Sequence, residues 1–348
     1  MKKTKKLMVG NVPIGGGFPI TVQTMTTEKT SNIDSVVSQI NDFEKAGCDI
    51  SRSAVNSFED AKAIKEIKKR TNLPFIADIQ FDYKLAIAAV EGGCDALRIN
   101  PGNIGSVDKV KLVVEKCKEY KIPIRIGVNS GSVHQSQIEK YNGVNVNSLV
   151  FSAMDEVKVL EDMGFFDIAI SIKSSDVNTM IEVNRKISTL CDYPLHIGVT
   201  EAGPFFSSTV KSSIGIGTLL SEGIGDTIRV SITGDPLEEI RVGKEILKSL
   251  NLRKDGIDIV SCPTCSRTTV DLKKIVKEVE IKTKDIKKDI KVAIMGCPVN
   301  GPGESKEADL GIAASNGIGF LFKNGEIIKK VKEDEIIDTL IKAIEESK

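Results

Sequence analysis

The sequence predicts an α/β chain in two parts: an N-terminal (β/α)8 barrel over residues 1–253 and a small α+β domain over residues 254–348. Three observations predict it. Short apolar runs alternate with helix-patterned segments through the first part, which is the signature of a parallel sheet with crossover helices. One local phrase recurs there: Gly47-Cys48-Asp49-Ile50, Gly93-Cys94-Asp95-Ala96-Leu97, Gly164-Phe165-Phe166-Asp167-Ile168 and Gly225-Asp226-Thr227-Ile228. Near Lys254 the alternation stops and a different cysteine pattern begins.

In the recurring phrase the glycine suits the left-handed end of a helix, and the apolar run after it suits a strand entering a core. Strands are expected to begin near Ile20, Ile50, Phe75, Ala96, Ile122, Asp167, Leu195 and Thr227. Each is followed by a helical segment, and eight such units close into a barrel. An open, doubly wound sheet is the rival. It would carry a glycine-rich dinucleotide turn after its first strand. Gly15-Gly16-Gly17 precedes the strand at Ile20 and reads as a turn, and Gly215-Ile216-Gly217 is an isolated pair. The basic start, Met1 to Lys6, lacks the apolar run of a signal peptide and reads as a solvated lead into a strand. Beyond Lys254, strands are expected at Gly256–Val260 and Lys291–Met295, with a basic helix to about Lys282 between them. Short strands follow around Leu310, Phe320 and Ile327, then a helix from about Glu333.

Composition narrows the class. Lys plus Arg total 48 and Asp plus Glu total 48, so bulk charge does not draw the chain to nucleic acid or to an anionic membrane. No stretch approaches the roughly 18 apolar residues of a membrane helix, and the expected compartment is the cytoplasm. The chain has 7 cysteines, an odd number in a large chain, which argues against a disulfide framework. Cys48, Cys94, Cys117 and Cys191 stand among apolar neighbours and read as small core residues.

The predicted strand ends carry polar side chains. Arg52 follows the second strand, Asp78 and Gln80 the third, and Arg98 and Asn100 the fourth. Arg125 and Asn129 lie on the fifth, Lys173 ends the sixth, Glu201 ends the seventh, and Arg229 and Ser231 end the eighth. In a barrel these ends converge on one pocket. Arg52, Arg98, Arg125, Lys173 and Arg229, with few balancing carboxylates, call for an anion in a dry cavity. Phosphate or diphosphate matches the guanidinium fork. The alternative is that some of the five form salt bridges at strand ends. Glu201, a carboxylate among these cations, can orient a substrate hydroxyl or shuttle a proton. His196, inside the seventh strand, reads as a buried core histidine, and His134 as a solvated loop residue.

The second part holds Ser261-Cys262-Pro263-Thr264-Cys265 and then Gly296-Cys297-Pro298-Val299-Asn300-Gly301-Pro302-Gly303-Glu304. A CxxC pair places two thiolates on one metal, and Cys297 adds a third. Cysteine followed by proline in a glycine-rich turn suits an iron–sulfur cluster. Glu304 is the nearest candidate for a fourth ligand. Zinc is the rival, although no cysteine or histidine follows Cys297 to complete its usual set. A redox dithiol would not need Cys297. The basic stretch at Lys273, Lys274 and Lys277 is a solvated face or a surface for an acidic electron carrier. A diphosphate pocket with such a cluster implies reduction of a phosphorylated small molecule.

These residues resemble the bacterial 4-hydroxy-3-methylbut-2-enyl diphosphate synthase family of the non-mevalonate isoprenoid pathway. The resemblance spans essentially the whole chain. It rests on Val22 to Thr26, Ala77 to Ile79, Phe81 to Tyr83, Arg98 to Gly105, Arg125 to Ser132, Pro194 to Gly203, Gly223 to Ser231, and the two cysteine motifs. It implies a TIM-type barrel followed by an iron–sulfur domain, with a [4Fe-4S] cluster on Cys262, Cys265, Cys297 and Glu304. The implied reaction is reductive opening and dehydration of 2-C-methyl-D-erythritol 2,4-cyclodiphosphate, with electrons from flavodoxin or ferredoxin. Carried over by motif, Arg52, Arg98, Arg125, Lys173, Arg229 and Ser231 hold the diphosphate. Asn100, Asn129 and Asn300 help position it, and Glu201 is the acid/base. A homodimer is implied, the cluster of one subunit closing the barrel of the other. The chain departs from the pattern at Gln80, where the family has histidine, in the run Ser51 to Ser57, at Phe151 and at Ser266. Gln80 still donates a hydrogen bond but cannot carry charge. A divergent paralogue, or a zinc-stabilised aldolase or epimerase barrel, remains the alternative on the residues alone.

Overall fold

The computed structural model describes residues 3–254, 256–284, 286–297 and 307–347. Asn300 and Glu304 therefore lie outside the described residues. The chain divides into two compact units, Met1–Arg253 and Lys254–Lys348.

In the first unit the eight strands are β3 (Thr21–Met25), β4 (Ile50–Ala54), β5 (Phe75–Asp78), β6 (Ala96–Ile99), β7 (Ile124–Asn129), β8 (Ile168–Lys173), β9 (His196–Ile197) and β10 (Thr227–Ile228). They pair in the order β8-β7-β6-β5-β4-β3-β10-β9, and every pair is parallel. A parallel bridge between Ile170 and Leu195 joins the two ends and closes the barrel. The helices are α1 (Ile33–Ala46), α2 (Phe58–Arg70), α3 (Tyr83–Glu91), α4 (Pro101–Ile104), α5 (Val107–Tyr120), α6 (Gln135–Lys140), α7 (Val146–Asp162), α8 (Val177–Leu190), α9 (Phe205–Ser221) and α10 (Pro236–Ser249). Each long one buries an apolar stripe against the strands. In α1 the stripe is Val36, Val37, Ile40 and Phe43, one face of a 3.6-residue period.

The recurring phrase has a structural purpose. Gly47 adopts φ +87° and ends α1 in the left-handed conformation that glycine takes without strain. The aspartates that follow clip neighbouring strands together. Asp49 accepts from the Val22 N–H at 2.7 Å, Asp95 from the Phe75 N–H at 2.7 Å and Asp226 from the Leu195 N–H at 2.8 Å. Each satisfies a backbone donor near the lower rim of the barrel.

The N-terminus is less solvated than its charge suggests. Thr4 is buried and donates to Asp226 at 2.6 Å. A hairpin follows, β1 (Leu7–Val9) with β2 (Val12–Ile14). Leu7, Val9 and Ile14 pack on Ile50, Ile76, Ala96 and Ala169, and so plug the N-terminal mouth of the barrel with apolar side chains.

The second unit is a sheet in sequential order, β11 (Ile257–Ser261), β12 (Ile290–Met295), β13 (Leu310–Ser315), β14 (Ile318–Lys323) and β15 (Glu326–Lys332). The first three strands are parallel and the last two antiparallel. Helices α11 (Leu272–Thr283) and α12 (Ile336–Glu346) contribute Leu272, Ile275, Val279, Leu340 and Ile344 to its core. No helix among the described residues is long and apolar enough to cross a membrane.

Candidate functional site

Strand alternation turns every second barrel residue inward. Register then brings the polar ones together: Asp78 pairs with Arg98, Arg98 with Arg125, and Asn129 with Lys173. Asp78 lies between two guanidiniums, 3.6 Å from Arg52 Nε and 3.3 Å from Arg98 Nη1. The Gln80 amide donates to the same carboxylate at 3.4 Å. Arg52 also donates to Met25 Sδ, at 3.0 Å through Nη2. Gly127 makes room for Arg98, since a Cβ there would stand 2.4 Å from the guanidinium Nε.

Carboxylates are more numerous than the strands alone suggest. Arg229 makes a two-pronged pair with Glu239 of α10, at 3.2 and 3.3 Å. Glu239 is buried and also accepts from Thr24 Oγ1 and the Ile232 N–H. Three of the five cations thus have an internal partner, which corrects the expectation of few balancing carboxylates. Arg125 and Lys173 are different. Arg125 is 5% exposed and, among the described residues, donates only from Nη1, to the Gln23 amide oxygen at 2.6 Å, leaving Nε and Nη2 without partners there. Lys173 has no carboxylate within ion-pair distance among the described residues.

Burial shapes the electrostatics here. It lowers Arg52 to about 10, and Arg229 and Arg98 push the same way against Asp78. Burial, then Arg52 and Arg98, hold Arg125 well below the usual arginine range. Burial, then Arg229, Arg52 and Arg125, do the same to Lys173. His196 is fully buried, with Nδ1 3.4 Å from Thr227 Oγ1 and Nε2 unpartnered. Burial and the nearby Arg125, Lys173, Arg52 and Arg229 keep its imidazole neutral at neutral pH. A buried interior that concentrates cations this way gains from an incoming anion.

The loops above the strands carry the remaining residues. Glu201 is exposed in a turn four residues beyond β9 and adopts φ +51°, an uncommon conformation for a non-glycine residue. The turn is pinned on both sides, by the Thr200 N–H to Ser174 O and by the Thr233 N–H to Gly203 O. Asn100 is buried and caps α4, accepting from the Gly102 N–H at 3.1 Å. Asn129 accepts from the Gly131 N–H at 3.1 Å. Ser231 is half-buried, and its carbonyl accepts from Ser208 Oγ. His134 is not simply solvated. Its Nε2 meets the buried Glu156 at 2.5 Å, and Glu156 also accepts from the Gly102 N–H at 2.9 Å.

In the second unit, parallel β11 and β12 end side by side and deliver Cys262 and Cys297 just beyond their last residues. Thr264, between the two cysteines of the CPTC turn, adopts φ +65°. Cys265 is exposed, Cys262 half-buried and Cys297 buried, and all three are free thiols. Donation from the Arg267 backbone and side chain holds the Cys265 thiol below its usual range. Arg267 pairs with Cys265 and also lies within the electrostatic reach of Cys297 and Cys262, which raises its own pKa. Among the described residues no three such side chains yet stand as a metal-binding group. Three free thiols at and just beyond adjacent strand ends nonetheless fit the donor chemistry of a thiolate-bound cluster. Cys48 and Cys117 are unlike them, since burial pushes both thiols up to about 12.

Sequence patterns do not single out Glu239, Gln23 or Glu156. Alternation along β3 is a usable signal for Gln23, two residues from Met25 and facing the same way. Glu239 looks like an ordinary acidic residue in a first helical turn.

Comparison with known proteins agrees with this layout. The family described as the GcpE TIM-barrel domain matches residues 4–244, and the GcpE protein C-terminal domain matches residues 258–346. A 4-hydroxy-3-methylbut-2-en-1-yl diphosphate synthase (flavodoxin) of Clostridium perfringens is 57% identical, over 99% of each chain. The enzyme of that name from Fusobacterium nucleatum is 55% identical, over 99% of this chain and 98% of its own. Among solved structures, dihydropteroate synthase of Xanthomonas albilineans superposes with a TM-score of 0.52 at 12% identity, over 71% of this chain and 97% of its own. That likeness concerns the barrel fold alone.

Proposed function

The chain belongs to the GcpE family, and from that premise we propose that it is a 4-hydroxy-3-methylbut-2-en-1-yl diphosphate synthase of isoprenoid precursor biosynthesis. The substrate is 2-C-methyl-D-erythritol 2,4-cyclodiphosphate. The carbon–oxygen bond to the ring phosphate breaks, the hydroxyl on the adjacent carbon leaves as water, and a double bond forms between the two carbons. Two electrons and a proton balance the change. Cys262, Cys265, Cys297 and Glu304 would hold a [4Fe-4S] cluster, which would pass on electrons received singly from flavodoxin or ferredoxin.

The observation that carries this reading is the pair of cations without internal carboxylates, Arg125 and Lys173, beside three that have them. Arg125 and Lys173 take the diphosphate charge. Arg52, Arg98 and Arg229 share it from orientations already fixed by Asp78 and Glu239. Gln80, Asn100, Asn129, Ser231 and Asn300 add uncharged contacts that set the position of the ring. Glu201, on its pinned turn, gives a proton to the departing hydroxyl. The chain works as a homodimer.

Glu201→Gln tests the assignment of roles. It keeps the hydrogen-bonding shape and removes the acid, so kcat falls at least ~100-fold while the visible absorbance of the cluster is unchanged. Wild-type turnover in the Glu201→Gln variant contradicts it.

A further inference from the structure

Gln23 holds the Arg125 guanidinium by one N–H. Both side chains are buried, at 1% and 5% exposure. The Gln23 amide oxygen accepts from Arg125 Nη1 at 2.6 Å. Among the described residues no other polar atom satisfies this guanidinium, because Nε and Nη2 have no partner there, nor does the Gln23 amide nitrogen. Two arginines nearby, the buried Arg52 and the half-buried Arg229, each have a carboxylate. Glutamate has the shape of glutamine, so a carboxylate at position 23 would fit against Arg125 as Glu239 fits Arg229. The chain has an amide there instead. An amide holds the guanidinium in place and leaves its charge uncancelled. His196, whose ring is also buried and unpartnered at Nε2, is a second uncharged group within the field of Arg125.

We propose that Gln23 is a positioning residue: it anchors Arg125 by one N–H and, by being uncharged, reserves the free edge of the guanidinium for a phosphoryl oxygen of the substrate. This rests on the anion-binding reading of the barrel given above. It assigns no direct substrate contact to Gln23 itself. The design is costly in stability, because a buried guanidinium with two unused N–H groups loses hydration without recompense. A site kept in that condition exchanges stability for affinity.

The test is the binding of inorganic pyrophosphate to the full chain, by calorimetry, in wild type, Gln23→Glu and Gln23→Met, with the melting temperature of each. Pyrophosphate binding is independent of turnover. Gln23→Glu supplies an internal anion, so affinity falls at least tenfold while the melting temperature holds or rises. Gln23→Met removes the anchor and adds no charge, so affinity falls by a smaller factor. Wild-type affinity, within twofold, in Gln23→Glu overturns the proposal. So does an equal loss in the two variants, which would assign the effect to packing. If Gln23→Glu does not fold, Gln23→Met decides alone, and affinity within twofold of wild type overturns the proposal. If wild type itself binds no pyrophosphate, the anion-pocket reading fails with it.

Discussion

Arg125 and Arg229 occupy the same barrel interior and face opposite conditions. Arg229 is held by both oxygens of Glu239, whereas Arg125 rests on one amide oxygen. The difference follows from where each partner lies in the chain. Strand alternation is enough to find all five cations, because their side chains face inward whatever surrounds the barrel. It is enough for Asp78, which is itself on a strand. It fails for Glu239, since that carboxylate reaches the strands from the first turn of a helix, and no periodicity in the strands records it. Glu239→Ala leaves the Arg229 guanidinium, the Thr24 hydroxyl and the Ile232 N–H without an acceptor. Breaking a buried pair of this kind costs about 3 kcal/mol or more of folding stability. The exposed Arg185–Glu222 pair is the control, and its removal costs under about 1 kcal/mol. Urea unfolding of both variants measures the contrast, and equal losses contradict it.

At the scale of elements, the helix that follows β7 is tied to the loop that follows β6. His134 at the start of α6 meets Glu156 of α7, and Glu156 accepts from Gly102 in α4, next to Asn100. The sequence places His134 correctly in a loop but does not announce this partner, which is 22 residues away. The Glu156 carboxylate raises the His134 pKa above its ordinary 6.5. A histidine whose folded-state pKa is raised stabilises the fold fully below its unfolded value. The contribution is lost as pH rises through the folded value. Melting temperatures of wild type and His134→Gln therefore differ most below about pH 6.5 and converge at higher pH. A gap independent of pH contradicts the ion-pair account. The strands themselves are legible to within about two residues, because glycine caps and apolar runs mark them locally. The N-terminal hairpin is not. Its plugging role depends on Ile50, Ile76, Ala96 and Ala169, contacts that no local pattern announces.

For the whole molecule, the two units carry different halves of the chemistry. The barrel concentrates cations and spends carboxylates on only some of them. The second unit presents three free thiols at the ends of adjacent strands. Spacing and proline context set Cys262, Cys265 and Cys297 apart in the sequence, and the four cysteines of the barrel, buried or half-buried, differ from them in their apolar neighbours. The balance of charge in the barrel is not legible there, because it depends on side chains that only the closed fold brings together. Under the proposed function the two units together reduce a cyclic diphosphate. The most direct measurement is anaerobic reconstitution of the cluster, followed by incubation of the enzyme with 2-C-methyl-D-erythritol 2,4-cyclodiphosphate, dithionite and a viologen, with the product read by mass. The expected product is linear 4-hydroxy-3-methylbut-2-en-1-yl diphosphate, with two electrons consumed per molecule formed. An intact cluster that leaves the cyclodiphosphate unchanged contradicts the proposed function.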